Sequence, residues 1–271
     1  MNDMAEERPP ILSAKDHAAP SAFRPDGLLR EARRQKSVAE GNVPAVCVLD
    51  PDGDMLRHLR RTGEAHPVEA WACYHTEMWR FERDGCEFGI VANAVGAPFA
   101  VLLAEQMFAS GCRFLISVTS SGQIAPLGEP PYFILIDRAL RDEGTSYHYL
   151  PPARFAAADP QMLDRLSDLG NRTRIAIQRG ATWTTDAPFR ETEEAIATHR
   201  AAGILAVEME AAALYAFSRA RRHPVICFAH VTNQMARSEG DFEKGEANGA
   251  LDALDLIAAT ARTWGHARDR R

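Results

Sequence analysis

Glu208 and Glu210 flank Met209 where the apolar run ILAVE gives way to MEAAALYAF. Carboxylates set in so apolar a stretch need partners, because an ionised group removed from water is costly. Two chemistries fit. Acidic side chains suit a helix N-terminus, where backbone N–H groups lack acceptors. A carboxylate also accepts hydrogen bonds from both hydroxyls of a cis-diol, which suits a sugar. Four other polar clusters follow apolar runs: DPDGD after AVCVL, TSSGQ after FLISV, TWTTDAPFRET after IAIQRGA, and TNQMARSEGD after VICFAHV. Ligands of α/β sheets collect at the carboxyl ends of strands, so chemistry is expected at these clusters.

Other patterns are weaker. His75 and Glu77 flank Thr76; on a strand they would share a face, but a metal site needs a third ligand that the sequence does not offer. The GAPFA turn presents backbone amides at a helix start, which serve either an anion or helix-on-strand packing. His148 in SYHYLPP is either a pocket residue or a satisfied structural histidine. No G-x-S-x-G elbow and no phosphate loop ending in G-K-[ST] is present.

The elements that must position these residues alternate. PDGLLREARRQK reads as a short helix, AVCVL as a buried strand, and Asp84-Gly85 as a hairpin turn between two strand-like runs. GAPFAVLLAEQMFASG reads as a helix ended by Gly111. Strands are expected at FLISV, YFILI, TRIAIQRGA, ILAVE and PVICFAHV. Helices are expected near 160–169, at ETEEAIATHRAAG with Gly203 near its end, at MEAAALYAFSRARR, and from about Phe242 to Trp264. The pattern predicts one α/β domain over 41–266, a mixed and largely parallel central sheet flanked by helices. Residues 1–40 read as an N-terminal arm, unstructured up to about Pro20. Residues 267–271 read as a basic tail carrying Arg268, Arg270 and Arg271.

A formal net charge of −6 argues against a general attraction to nucleic acid. Cys47, Cys73, Cys86, Cys112 and Cys227 form no C-x-x-C pair and are odd in number, so buried reduced thiols and a cytoplasmic location are expected. No apolar run approaches a membrane span, and the acidic start MNDMAEERPP is no secretory signal.

Taken in order, the DPD turn, the Asp-Gly hairpin, the Gly-Ala-Pro helix, the TSSG segment, GTSYHYLP, the TTD segment and EMEAAAL resemble the nucleoside phosphorylases of the uridine and hexameric purine type, from Val43 to Trp264. The resemblance implies a pentosyltransferase that cleaves the N-glycosidic bond of a nucleoside. It implies that Glu210 binds the ribose hydroxyls and that Met209 packs under the sugar beside Glu208. Thr119, Ser120, Ser121 and Gly122 would form a loop between sugar and attacking group, with His148 near the sugar. A TTD loop would form the base pocket, with Phe189 stacked on the base, and Asn233 would meet the leaving base. A homodimer or trimer of dimers is implied, with Tyr74 and His75 facing the partner's site. No cofactor or metal is implied; inorganic phosphate is the co-substrate of the family.

The chain departs from the family where phosphate is held. Gly53, Tyr74 and Ser117 stand at the three positions where the family carries arginine, although guanidinium forks are the best donors to a phosphate dianion. Arg57, Arg80 and Arg190 are other possible sources of charge. Asn233 stands where purine-type members have an acid, and Thr192 and Glu194 where uridine-type members have Gln and Arg. Three readings follow: ribosyl transfer to phosphate, hydrolysis with water as acceptor, and nucleoside binding without cleavage.

Overall fold

Short apolar runs punctuated by glycine and polar turns become strands in a computed structural model, which describes residues 9–13, 15–173, 175–235 and 241–265. The basic tail lies outside the described residues. The N-terminal segment forms a single 3-10 turn, Pro10–Leu12, before α1 (Pro25–Lys36). Helix α1 buries Leu29 and Ala32 against Ala72. Strand β1 (Val46–Asp50) is wholly buried and leads through Gly53, in the left-handed region at φ 75°, into α2 (Asp54–Thr62). The sequence reading missed α2, because DPDGD reads as a turn and hides that its last Asp, Asp54, opens a helix. Strands β2 (His66–Pro67), β3 (Trp79–Arg83) and β4 (Cys86–Ala92) follow. Asp84 and Gly85 take φ of 51° and 73°, the pair of positive values that a tight hairpin requires. His75 and Glu77 precede β3 rather than lying on a strand, so the shared face expected for them does not form.

Helix α3 (Ala97–Ala109) starts at Gly96, whose φ of 95° only glycine adopts readily. Strand β5 (Phe114–Gln123) runs five residues beyond FLISV, so 119–122 is strand and not the loop expected. Strand β6 (Tyr132–Asp142), α4 (Ser146–Tyr149), β7 (Phe155–Ala157), α5 (Pro160–Arg165) and α6 (Leu169–Thr173) come next. Strand β8 (Ile177–Thr185) likewise absorbs the first two Thr of the TTD segment. Polar side chains on these extensions mask a backbone that continues to pair. The chain ends with α7 (Glu193–Ala201), β9 (Ile204–Glu208), α8 (Ala211–Arg221), β10 (Val225–Asn233) and α9 (Ala250–Gly265). Helix α9 begins eight residues later than expected. Gly245, Ala247, Asn248 and Gly249 all have positive φ, which no right-handed helix accepts.

The sheet closes on itself. Strand β5 pairs with β1 and β10 in parallel and with β9 antiparallel; β10 pairs with β6, β6 with β8, and β8 with β9. β5, β10, β6, β8 and β9 therefore make a ring, and β1, β4, β3 and β2 extend from β5 as an open wing. The β5–β9 seam is short, with Gly122 opposite Val207 and Gln123 opposite Ala206. The mixed sheet flanked by helices agrees with the expected class; its closure depends on non-local pairings that periodicity does not encode.

Tyr215 locks α8 to the ring. Its buried hydroxyl donates to Ile136 O at 2.6 Å and accepts from Cys227 N at 3.1 Å. Tyr215→Phe leaves both backbone groups without that partner and should cost about 1–3 kcal/mol in urea unfolding. An unchanged midpoint would show that the bridge contributes nothing.

Candidate active site

The β9–α8 junction divides the two glutamates. Glu208 Oε1 accepts from Thr182 Oγ1 at 3.0 Å and Thr184 Oγ1 at 2.5 Å. Its Oε2 accepts from Glu210 N and Ala211 N, both at 2.7 Å. Both oxygens are thus engaged in tying β8 to the start of α8, and Glu208 takes the helix-terminus role. Glu210 differs. Its Oε1 accepts from Gly96 N at 2.6 Å, while Oε2 is buried with no partner. A buried polar atom without a partner is rare enough to need a reason. Ser117 Oγ and Ser121 Oγ are in the same condition. They alternate along β5 with Thr119, whose hydroxyl donates to Ser120 O, so one strand face presents all three side chains.

Burial pushes the Glu210 carboxyl up to about 8, helped by the charges of Glu208 and Asp52, with the Gly96 N–H and the Thr119 hydroxyl pulling the other way. The raised value sets a direction for stability. Glu210 stays protonated in the fold while the unfolded chain, near 4.5, ionises. Its contribution is therefore full below pH 4.5 and lost as pH rises through 8. Glu210→Gln, neutral throughout, should match the parent Tm near pH ~5 and exceed it by roughly 5 °C at pH ~9. A Tm difference independent of pH would contradict a buried acid at this position.

Opposite lies the β1 turn. Asp50 is buried; its Oδ1 accepts from Gly53 N and its Oδ2 from Leu56 N, fixing the turn into α2, and desolvation pushes its carboxyl up to about 7. Asp52 reaches across to β5. Its Oδ2 accepts from Ser120 N at 2.7 Å and its Oδ1 from Ser120 Oγ at 2.8 Å. A carboxylate thus occupies both donors of Ser120 in the TSSG segment. The cations at the rim are engaged elsewhere: Lys244 Nζ donates to Asp54 Oδ2 at 2.6 Å, and Arg57 Nη2 donates to Asp54 Oδ1 and to Asp52 O. His230 stacks on Phe133 at 4.4 Å, and burial pushes its imidazole down to about 4, so it is neutral at physiological pH. Asp50, Asp52, Asp54, Ser120, His230 and Asn248 help line a cavity of about 20 Å³, room for about one water.

On the other side of β5, Asn233 sits opposite Gly122, with its Oδ1 accepting from Met235 N. A Cβ at Gly122 would overlap Met235 Sδ, so the missing side chain makes room for the Met235 thioether beside Asn233. Glu210, Thr119, Ser120, Ser121, Gly122 and Asn233 thus come together on adjoining elements, with Met209 half-buried between the glutamates. Phe189 does not join them: it is 100% exposed on the 3-10 turn Pro188–Arg190. His148 is exposed on α4. Tyr74 and His75 are exposed, with His75 edge-on to Phe99 of α3 at 6.5 Å. Arg80 pairs with Glu87, and Arg190 is exposed beside Phe189. Sequence reasoning missed Asp52, whose position in a turn after a buried strand was the available signal. It also missed His230, hidden inside an apolar run. Among the described residues no cluster of His, Cys, Asp and Glu could hold a metal ion, and no helix is long and apolar enough to cross a membrane.

Residues 45–262 match the sequence profile of the Phosphorylase superfamily. The chain is 25% identical over 249 residues to the uridine phosphorylase of Thermococcus kodakarensis, covering 85% of this chain and 87% of that protein. It is 27% identical over 146 residues to the guanosine phosphorylase of Halorubrum lacusprofundi, covering 53% of this chain and 61% of that relative's length. Its fold is similar to the crystal structure of uridine phosphorylase from Vibrio fischeri ES114, with a TM-score of 0.66 at 21% identity over 81% of this chain and 90% of that one.

Proposed function

The chain belongs to the Phosphorylase superfamily, and on that premise we propose that it cleaves the N-glycosidic bond of a nucleoside, with water rather than phosphate as the attacking group. The observation that carries the choice of water is the Asp52 carboxylate on Ser120 N and Oγ. A phosphate dianion at those donors would meet a carboxylate, a second carboxyl at Glu210 and a neutral His230. Like charges at such range disfavour it, and the described rim cations Lys244 and Arg57 are already held by Asp54.

In this reading the ribose hydroxyls donate to the unpartnered Oε2 of Glu210, and Met209 packs against the sugar. Water beside Asp52 attacks C1′ as the C1′–N bond breaks and its electron pair passes to the base. The water proton goes to Asp52, whose oxygens each keep a lone pair beyond their bonds to Ser120. Asn233 donates to the departing base but cannot protonate it, so that proton comes from solvent. Catalysis rests on placing fixed dipoles around an oxocarbenium-like sugar. Phe189, His148, Tyr74 and His75 would join the site only through loop closure or a partner subunit in a homodimer or larger assembly.

Ribosyl transfer to phosphate is the second reading. The names of the relatives favour it, and so do Arg57 and Lys244, which converge on Asp54 at the rim. A panel of purine and pyrimidine nucleosides, with phosphate present and rigorously removed, separates them. Free sugar without phosphate is the expected product. Sugar 1-phosphate formed only with phosphate would overturn the choice of water, and no release from any nucleoside would leave a binding protein.

A further inference from the structure

A second concave surface lies at the opposite end of β5 and β10, where Leu115 N donates to Pro224 O. From Leu115 to Ser120 the strand rises roughly 17 Å, so this groove is separate from the Glu210 pocket. Its volume is about 1090 Å³, enough for a nucleotide-sized ligand. Arg113, Arg165, Arg219, Arg222 and His223 line it against one carboxylate, Asp159, which is already engaged as the cap of α5 through Gln161 N. The floor is apolar, formed by Met162, Val225 and Trp264 among others, with Trp264 stacked on Phe114 at 5.1 Å.

The arginines are notable for what they lack. Several guanidiniums elsewhere find carboxylates, as in Arg83–Asp255, Arg221–Glu105 and Arg172–Asp168. Among the described residues, Arg113, Arg165, Arg219 and Arg222 make no ion pair or hydrogen bond with any side chain, in a chain of net charge −6. Basic residues favour helix C-termini, which accounts for Arg219 on α8 and Arg165 on α5 taken singly. It does not account for Arg113, which precedes a strand, or for four cations around one apolar floor. Guanidinium forks match phosphate oxygens, and an apolar floor with an aromatic ring suits a base. We infer that this groove binds a phosphorylated polyanion, with a nucleoside polyphosphate fitting both rim and floor.

Isothermal titration of the full chain with inorganic tripolyphosphate and with ATP, free of divalent metal and at low salt, tests this. Both should bind, and ATP at least ~3-fold tighter because only it reaches the floor. Charge reversal of three rim residues, Arg113→Glu, Arg219→Glu and Arg222→Glu, should weaken both by at least ~10-fold with Tm unchanged, since these side chains are exposed. Glu210→Ala should leave both affinities unaltered, which keeps the result independent of the catalytic reading. Equal affinities would retain the anion site and assign it to inorganic polyphosphate. No binding, unchanged binding by the charge-reversed variant, or loss of binding in Glu210→Ala would overturn the inference.

Discussion

Asp52→Asn is expected to lower phosphate-free base release by about 10²- to 10⁴-fold, the range that a positioned general base contributes. The substitution isolates the charge. Asn keeps an oxygen to accept from Ser120 N, and its amide can donate to Ser120 Oγ, so both contacts of Asp52 survive. Asp52 is partly exposed and holds no helix end of its own, so the Tm should move by no more than about 1 °C. Release of free sugar, measured by chromatography with phosphate absent, is the readout. The same variant separates the two acceptors. If Asp52 only blocks an anion site, the phosphate-free rate will not fall and phosphate-dependent release will rise instead. An unchanged phosphate-free rate therefore sinks the general-base role.

Glu210→Ala is expected to lower kcat/KM by at least ~10³-fold, since it removes an acceptor that strengthens as charge develops on the sugar. Alanine also strands Gly96 N, which donates to Glu210 Oε1 in the buried junction. Some loss of stability should accompany the loss of rate, and Glu210→Gln separates the two effects. Glutamine fills the same space and keeps an oxygen for Gly96 N, yet presents at most one acceptor to a diol. Its rate should fall nearly as far while the fold remains. Because burial pushes the Glu210 carboxyl up to about 8, kcat/KM of the parent should rise with pH through that value as Glu210 ionises. The Gln variant should lose that limb. A variant retaining a tenth or more of the parent rate would show that the sugar is held elsewhere.

The two glutamates show how far the residues alone can be read. Their type and position marked the β9–α8 junction; Glu208 takes the helix-terminus role, and Glu210 keeps the oxygen without a partner. Which one caps the helix depends on Thr182 and Thr184, which come from β8 and lie 26 and 24 residues away. No local pattern reports that. Asp52 is the converse case. The arginine missing at Gly53 was legible, but the carboxylate beside it reaches Ser120 across 68 residues, and only the β1–β5 register brings them together. The strands themselves were legible as apolar runs. Their ends were not, because Thr, Ser and Gln at the end of β5 look like loop residues while their backbone still pairs with β9 and β10. Phe189 was chosen for its chemistry, and a 3-10 turn places it in solvent.

The closed ring of β5, β10, β6, β8 and β9 bears on how copies of this chain can meet. Strands within a ring offer a neighbour little unpaired edge, as at the start of β8 before Ala181. The open wing ends at β2, two residues long and carrying Pro67, which has no N–H to donate. The branch off β6 ends at β7, three residues long. Beyond β2, the wing leaves only Phe81–Arg83 of β3 without a partner strand on that side. Among the described residues, sheet extension, the usual route to fibrils, therefore has little edge to build on, and side chains on helices and loops offer the larger surface for assembly.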